Sequence, residues 1–530
     1  MEQELVNATM PAALYQASLT YPDNLALVHS AIGLRITYRH FSADVAKITR
    51  GLHALGLGPE NRVVIWGANS PEWLMSQWAV AHLDAAWVPL DPKSTADQAA
   101  YVLEHCRADA VIMADELWPV LAQMGPEARP KTVVCWHASG AAHEGISWEQ
   151  MLAGARSTSP GAMVKLVAGV KRHHLAAIVY TSGTTGRPKG VMLDHEALIN
   201  KCYMATERLG LENQDRLALF FPLFHMFGNT CIAMAGTVRG ATLVMPGADF
   251  EPESTLKAMA AEKCSAVFGT PAMLGALLDH PARKGLDLSS LRTGIIGGAQ
   301  CPLALMERVV NELGAAQAAI GYGCTEAASW ITLTSPDDPL ELRASTVGTR
   351  LRGVEVMIAD PLTGQALANG LPGEVCSKGW LMKGYLDQPE KTAQVIDKNG
   401  WYHTGDMGFL DDKGYLRILG RLADAIEKDG RCIGPVEIET VIAQIPEVAE
   451  VQVFGVPREG GGEEVAAWLR LKPGAELSVE AVLAHCRGSL EAALLPDAVR
   501  VVESFPVTNA GKVQKAKLKE MALALRQGKE

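Results

Sequence analysis

The stretch Tyr180-Thr-Ser-Gly-Thr-Thr-Gly-Arg-Pro-Lys-Gly190 sets six consecutive glycine or hydroxyl residues, Thr181, Ser182, Gly183, Thr184, Thr185 and Gly186, just ahead of Lys189. It directly follows an apolar run at 176–180 that reads as a buried strand. Glycines let backbone N–H groups converge on an anion, the hydroxyls add donors and Lys189 adds charge, so these residue types describe a polyphosphate cradle. A Walker A loop is ruled out, because Arg187-Pro188 separates Gly186 from Lys189 and no Gly-Lys-Ser/Thr order follows. A Gly/Thr-rich turn alone can be no more than a loop, but a plain turn has no use for six such residues beside a cation.

Outward from this loop, short apolar runs alternate with amphipathic segments, the pattern of strands covered by helices. The run at 62–66 reads as a strand, and Ser70-Pro71-Glu72 after it supplies an N-cap residue, a proline for the first helical position and an acid suited to the helix dipole. The same strand-then-helix rhythm is expected at 110–113, 176–180, 266–269 and 294–296. No fixed-period repeat or low-complexity linker interrupts the first 400 residues, which read as one unit. Near Gly400 the punctuation changes. Asp411-Asp-Lys-Gly414 reads as a hairpin turn, a domain break follows near Gly420, and helices opening at Pro435 and Ser478 with strands at 448–456 and 499–502 form a small α+β domain. The expected fold class is therefore α/β, with a large multi-layer N-terminal domain over 1–420 and a small C-terminal domain over 421–530.

A chain of 530 residues exceeds what one hydrophobic core usually serves, in keeping with two domains. With 48% hydrophobic and 20% charged residues it has an ordinary globular composition. A formal charge of -11 argues against a nucleic-acid partner, which would draw its affinity from Lys and Arg on phosphates. Ten cysteines scattered between Cys106 and Cys486, without a Cys-x-x-Cys pair, suit reduced thiols in a cytoplasmic enzyme and make zinc an unsuitable expectation. The acidic start Met-Glu-Gln-Glu and the lack of any apolar run of about 18 residues lead to the expectation of no leader and no membrane span.

Further motifs recur in order: Tyr322-Gly-Cys-Thr-Glu326, Gly373-Glu-Val, Trp401-Tyr-His-Thr-Gly-Asp406, Gly420-Arg421 and Pro506-Val-Thr-Asn-Ala-Gly-Lys512. With the Gly/Thr loop, this ordered set resembles the adenylate-forming superfamily of acyl-CoA synthetases, luciferases and peptide-synthetase adenylation domains. It covers nearly the whole chain and is most similar to the medium-chain acyl-CoA synthetases. The resemblance implies ATP-dependent, AMP-forming activation of a carboxylic acid with Mg²⁺, and a small C-terminal domain that is mobile. Thr181 to Gly186 and Lys189 would bind the phosphates of ATP, with Gly298, Ala299, Gly321, Tyr322, Gly323 and Thr325 around adenine and α-phosphate. The Tyr322 ring would stack on adenine. Glu326 and Thr184 would hold the metal, Asp406 would accept both ribose hydroxyls, Arg421 would approach the same ribose, and Lys512 would bridge the acid carboxylate and the α-phosphate.

Each residue also has a plainer reading. Glu326 could be a solvated carboxylate, Asp406 a turn aspartate, Arg421 a surface ion-pair member, and Gly297-Gly298-Ala299 a tight turn. Lys512 could share a solvated helix face with Lys515, Lys517 and Lys519. The segment Pro222-Leu-Phe-His-Met-Phe-Gly228 aligns with the family's acyl site, with His225 near the reacting carboxylate and Phe227 deeper, although a core histidine at the start of an apolar helix fits the pattern nearly as well. Gly298, Ala299, Gly323 and Cys324 are small, and these segments hold no Lys or Arg for a second carboxylate, so a small or medium apolar acid is expected.

The departures from the family fall in the small domain. The hinge position two residues after the arginine is Ala423. The Gly-Gly beside the thiol tunnel is Asp429-Gly430, the aromatic residue before the proline is Gly434, and the lysine before a later hydrophobic-Pro pair is Leu494. Gly430 would border the acceptor. Coenzyme A is the first choice of acceptor, an amine or amino acid the alternative, and a non-catalytic acyl-adenylate-binding homologue the reading of another class. The acid, the acceptor and the oligomeric state stay open at this point.

Overall fold

The computed structural model describes residues 8–136, 144–181, 187–458, 460–506 and 513–526. The chain divides into two compact units, Met1–Glu355 with Lys378–Tyr402 and Val356–Ser377 with His403–Glu530. The expected boundary near Gly420 lies at the end of the antiparallel ladder of Tyr402–Leu410 with Leu416–Arg421.

The first unit is built on two large sheets. One has eight strands, Gly384–Tyr385, Lys189–Asp194, Leu175–Thr181, Ala86–Leu90, Arg62–Trp66, Ala110–Ala114, Thr132–Trp136 and Ile146–Ser147 in spatial order. Its central strands are parallel and buried along their length, as at Ala86–Leu90 and Ala110–Ala114, which explains their unbroken apolar sequence. The other sheet has nine strands, with Thr293–Gly297 and Gln317–Cys324 parallel near one edge and Ser329–Leu333 returning antiparallel beside them. Helices cover the strands and start where the capping residues predict. Ser70 accepts from Trp73 N–H at 3.0 Å ahead of helix Pro71–His82, whose residues Trp73 and Trp78 are fully buried.

One expected rhythm differs. Strand Leu175–Thr181 is followed by a second strand, Lys189–Asp194, antiparallel to it with Thr181 opposite Lys189, and only then by helix His195–Arg208. The apolar residues Val191 and Leu193 give the second strand its own buried face, which holds it against the first as an antiparallel return.

The second unit holds a four-stranded sheet, Glu355–Ala359, Gly373–Lys378, Tyr402–Leu410 and Leu416–Arg421, a short two-stranded ribbon, and a three-stranded sheet of Val448–Pro457, Glu463–Leu471 and Ala498–Val501. The hairpin at 411–414 forms as expected, with Gly414 at φ 82 and its N–H on the Asp411 carbonyl at 2.9 Å. Helices Pro435–Ile442 and Val479–Ser489 pack through Ile438, Ile442, Val482 and Cys486 onto Val453, Val465 and Leu469. A separate cluster of Phe454, Trp468, Phe505 and Leu518 anchors the last helix, Lys515–Arg526.

Candidate active site

In the first unit, both stems of the Gly/Thr loop are clamped by residues from helix Ala96–His105. The Tyr101 hydroxyl donates to the Pro188 carbonyl at 2.8 Å, its ring lies 5.2 Å under the Arg187 guanidinium, and His105 Nδ1 meets the Tyr180 hydroxyl at 2.7 Å. Burial lowers the His105 pKa, which favours the neutral ring in that contact. Ser182, Gly183, Thr184, Thr185 and Gly186 lie outside the described residues, so the structure places the stems and not the cradle itself.

Lys189, at the start of the return strand, sets its Nζ 4.7 Å from the centre of the Tyr385 ring. The short strand Gly384–Tyr385 pairs antiparallel with Lys189–Asp194, which brings that ring into place. The Tyr385 hydroxyl in turn donates to Glu326 Oε1 at 3.0 Å, and Met382 N–H donates to the Glu326 carbonyl at 2.8 Å. Burial first, then the Glu326 carboxylate, raises the Tyr385 pKa, so the phenol keeps its proton and remains the donor. A cation, a phenol and a carboxylate thus form one chain at the stem that follows the loop. Lys189 and Glu326 are legible in the sequence, whereas Tyr385, Tyr101 and His105 are of residue types that carry no signal of their own.

Thr325 and Glu326 sit on a single 3-10 turn, Thr325–Ala327, immediately after strand Gln317–Cys324. The chain then passes through Ala328 at φ 54 and Ser329 at φ 119, two left-handed positions without glycine, before entering Ser329–Leu333. Such strain persists only where surrounding structure imposes it, and it is concentrated at functional turns. Gly323 has a backbone reason to be glycine, since a Cβ there would stand 1.9 Å from the Ser329 carbonyl oxygen. Tyr322 and Cys324 are half-buried on the same strand end, and the Cys324 thiol lies 3.8 Å from the Tyr402 hydroxyl. The Trp330 indole lies against both Gly297 and Gly321, where added Cβ atoms would meet it at 2.9 and 2.7 Å.

On the expected acyl side, His225 is exposed and its Nδ1 accepts from Phe227 N–H at 3.1 Å, so it is not a core histidine. Phe227 is buried, lies tilted against the Phe221 ring with centroids 4.6 Å apart, and meets the Trp330 ring edge-on at 5.1 Å. It opens Phe227–Met234, a wide π-type helix of a kind frequent at functional sites. Gly298, left-handed at φ 82, and Ala299 are exposed at the end of strand Thr293–Gly297.

The second unit holds the expected ribose carboxylate. Asp406 stands opposite Arg421 across the ladder, and Arg421 Nε reaches Asp406 Oδ1 at 3.1 Å. Asp406 N–H donates to Thr404 Oγ1 at 3.0 Å, and Thr404 Oγ1 donates to the Val375 carbonyl at 2.7 Å. Glu374 completes the support: one oxygen accepts from Gly405 N–H at 3.1 Å and the other meets His403 Nδ1 at 2.8 Å. Glu374 and His403, which belong to the Gly373-Glu-Val and Trp401–Asp406 motifs, form the frame of the Asp406 turn. Lys512 lies outside the described residues. Its neighbours in sequence are tied down: Lys515 Nζ pairs with Glu439 at 2.8 Å and Lys519 Nζ with Glu463 at 3.2 Å.

Paired strands that enter and leave the Gly/Thr segment, the linked Lys189, Tyr385 and Glu326 at their base, and a braced aspartate in the second unit fit the class of AMP-forming ligases. The AMP-binding enzyme model matches residues 14–386, and the AMP-binding enzyme C-terminal domain model matches residues 437–512. The chain belongs to the AMP-binding enzyme family. It is 35% identical to the putative acyl-CoA synthetase YngI of Bacillus subtilis (strain 168), covering 98% of each chain. It is 32% identical to the mitochondrial medium-chain acyl-CoA ligase ACSF2 of Danio rerio, over 97% of this chain and 88% of that one. Among solved structures it resembles the amide bond synthetase McbA from Marinactinospora thermotolerans, with a TM-score of 0.82 at 27% identity over 97% of this chain and 99% of that one. All ten cysteines are free, and among the described residues no helix is long and apolar enough to cross a membrane.

Proposed function

We propose that the protein joins a small or medium apolar carboxylic acid to the α-phosphate of ATP, releases pyrophosphate, and passes the acyl group to the thiol of coenzyme A. The observation that carries this reading is the Lys189–Tyr385–Glu326 chain at the stem of the Gly/Thr loop. The first step needs an acid oxygen in line with the α-phosphorus while the bond to pyrophosphate breaks, and is catalysed by alignment and charge neutralisation. Thr181 to Gly186, Lys189 and Thr325 take the phosphates, and Tyr322 stacks on adenine between Gly298, Ala299, Gly321 and Gly323. Asp406 accepts the ribose hydroxyls beside Arg421, and Lys512 bridges carboxylate and α-phosphate. In this scheme residues 421–530 act as the small domain that delivers Lys512 and places Gly430 beside the acceptor. His225, Phe227 and Cys324 line the acid.

The donor set suits magnesium. Glu326 keeps Oε2 for a cation while Oε1 takes the Tyr385 hydroxyl, and one or two carboxylates with substrate phosphates are the usual magnesium ligands. Thr184 would add a hydroxyl. Bound there, the ion would neutralise charge on the departing pyrophosphate. Ten free thiols favour a reducing compartment, the cytoplasm. A second reading, transfer to an amine or amino acid, is favoured by the similarity to an amide bond synthetase.

Acid-dependent ATP–pyrophosphate exchange tests the activation step. Exchange should require a divalent cation, and Glu326→Gln should raise the magnesium concentration needed. An unchanged metal dependence removes Glu326 as ligand, and no exchange with any acid favours a nucleotide-binding homologue without catalysis.

A further inference from the structure

Glu374 and Cys376 stand two apart on strand Gly373–Lys378, and residues so spaced share one face of a sheet. The neighbouring strand Tyr402–Leu410 brings His403 against that face. Its Nδ1 meets Glu374 Oε2 at 2.8 Å and Cys376 Sγ at 3.5 Å, and the three ligand atoms all lie within 4.8 Å of one another. The scattered cysteines that speak against zinc in the sequence hide this cluster, because Cys376 and His403 are 27 residues apart and only sheet pairing joins them.

The mixture of ligands suits one class of ion. Thiolate, imidazole and carboxylate are the three side-chain types that zinc takes, with bonds of about 2.3 Å to sulfur and about 2.0 Å to nitrogen or oxygen. Around a tetrahedral ion such bonds set sulfur and nitrogen roughly 3.5 Å apart, the spacing already present between Cys376 and His403. Nitrogen and oxygen would stand roughly 3.3 Å apart, so Glu374 and His403 need to part by only about half an ångström for the ion to replace the proton between them. Magnesium and calcium prefer oxygen ligands and have no use for the thiol. Cys376 is buried, but the side chains of His403 and Glu374 keep 24% and 13% of their surface exposed, so the cluster opens to solvent on that side.

We propose that Glu374, Cys376 and His403 bind a divalent cation of the zinc class, with water as the fourth ligand, and that the ion ties together the two strands under the Asp406 turn. On binding, the thiol releases its proton to solvent and the imidazole carries its remaining N–H on Nε2. Glu374 keeps its other oxygen on Gly405 N–H, so the turn stays braced with the ion in place. The site stands whether or not the protein activates an acid.

Cobalt(II) reports such a site, because a thiolate ligand gives it an intense near-ultraviolet charge-transfer band. Titration of the full chain with cobalt chloride should develop that band up to one ion per chain, and zinc chloride should abolish it. Cys376→Ser should lose the band and weaken zinc binding, measured by calorimetry, by at least ~10-fold. Cys432→Ser, which removes an exposed cysteine, should keep both. A band kept in Cys376→Ser and lost in Cys432→Ser overturns the proposal, as does a wild type that shows no band. If Cys376→Ser fails to fold, X-ray absorption at the zinc edge of the loaded wild type decides. It should show one sulfur at about 2.3 Å with nitrogen or oxygen at about 2.0 Å, and a shell without sulfur, or with several sulfurs, overturns the proposal.

Discussion

The turn after strand Gln317–Cys324 in the first unit and the turns after strand Leu416–Arg421 in the second both follow a strand that ends beside expected site residues, yet they are built differently. The first is strained at Ala328 and Ser329, is gripped through Glu326 by Tyr385 and Met382, and has a fully buried lysine on its Trp330 carbonyl. The second contains three of the departures from the family, the fourth being Leu494 further along the same unit, and most of them have ordinary local causes. Asp429 and Gly430, at φ 52 and 72, make a two-residue hairpin between Ile426–Lys428 and Arg431–Ile433, a turn for which Asp-Gly is a favoured pair. Gly434 lies so close to Leu419 that a Cβ would stand 2.4 Å from the Leu419 Cβ. Leu494 packs on the small-unit core with Val482 and Ile442. Ala423 is exposed, and nothing in the structure explains it. The first turn is held by contacts from distant segments, whereas substitution with a packing explanation says little about the acceptor.

Two lysines three residues apart give the largest expected contrast. Lys512→Ala should lower acid-dependent ATP–pyrophosphate exchange by at least ~100-fold, the scale of a lost electrostatic contact in the transition state. Lys515→Ala, which removes the pair with Glu439, should lower the stability of the second unit and leave exchange by the folded protein within a few-fold. Equal effects of the two would dissolve the distinction between catalytic and structural lysines.

Next in size is the contact at Gly434. Gly434→Phe, which restores the family's aromatic type, should cost about 1–3 kcal/mol or more by overpacking against Leu419. Urea melts of the variant check this, and an undiminished midpoint would mean that Gly434 is not held by packing and returns it to the acceptor question.

The smallest effect concerns pH and belongs to the first unit. His195 is wholly buried, and burial lowers its pKa from 6.5 to about 3. The unfolded chain therefore binds a proton there that the folded chain refuses between those values, and stability falls as the pH drops through this window, by at most about 1.4 kcal/mol per pH unit. His195→Gln should melt with a shallower dependence between pH 7 and 5. An identical slope would assign the acid sensitivity to other groups.

The legible parts of the molecule were those where local chemistry determines local structure. The caps Ser70 and Ser478, the prolines opening helices at 71 and 435, and the hairpin at 411–414 stand where their residue types put them. The strand after the Gly/Thr loop escaped notice because a hairpin and a strand–helix turn share the same glycines. Tyr385 and Lys201 escaped for a different reason. Their contacts join chain segments far apart in sequence, Tyr385 meeting Glu326 and Lys201 meeting Trp330, and no spacing rule reports such pairs. Glu374 was visible as a motif residue, but its use as the brace of Gly405 and His403 needed the sheet.

Mass spectrometry of products tests the central claim most directly. The protein would be incubated with ATP, magnesium, a panel of acids, and coenzyme A together with mixed amino acids at equal concentration. In keeping with the similarity to acyl-CoA ligases, the account predicts AMP, pyrophosphate and an acyl-CoA thioester as the main products, with Ala423→Lys changing only the rate of thioester formation. Amide products with negligible thioester would contradict the assignment of coenzyme A as acceptor, and absence of AMP with every acid would contradict the ligase itself.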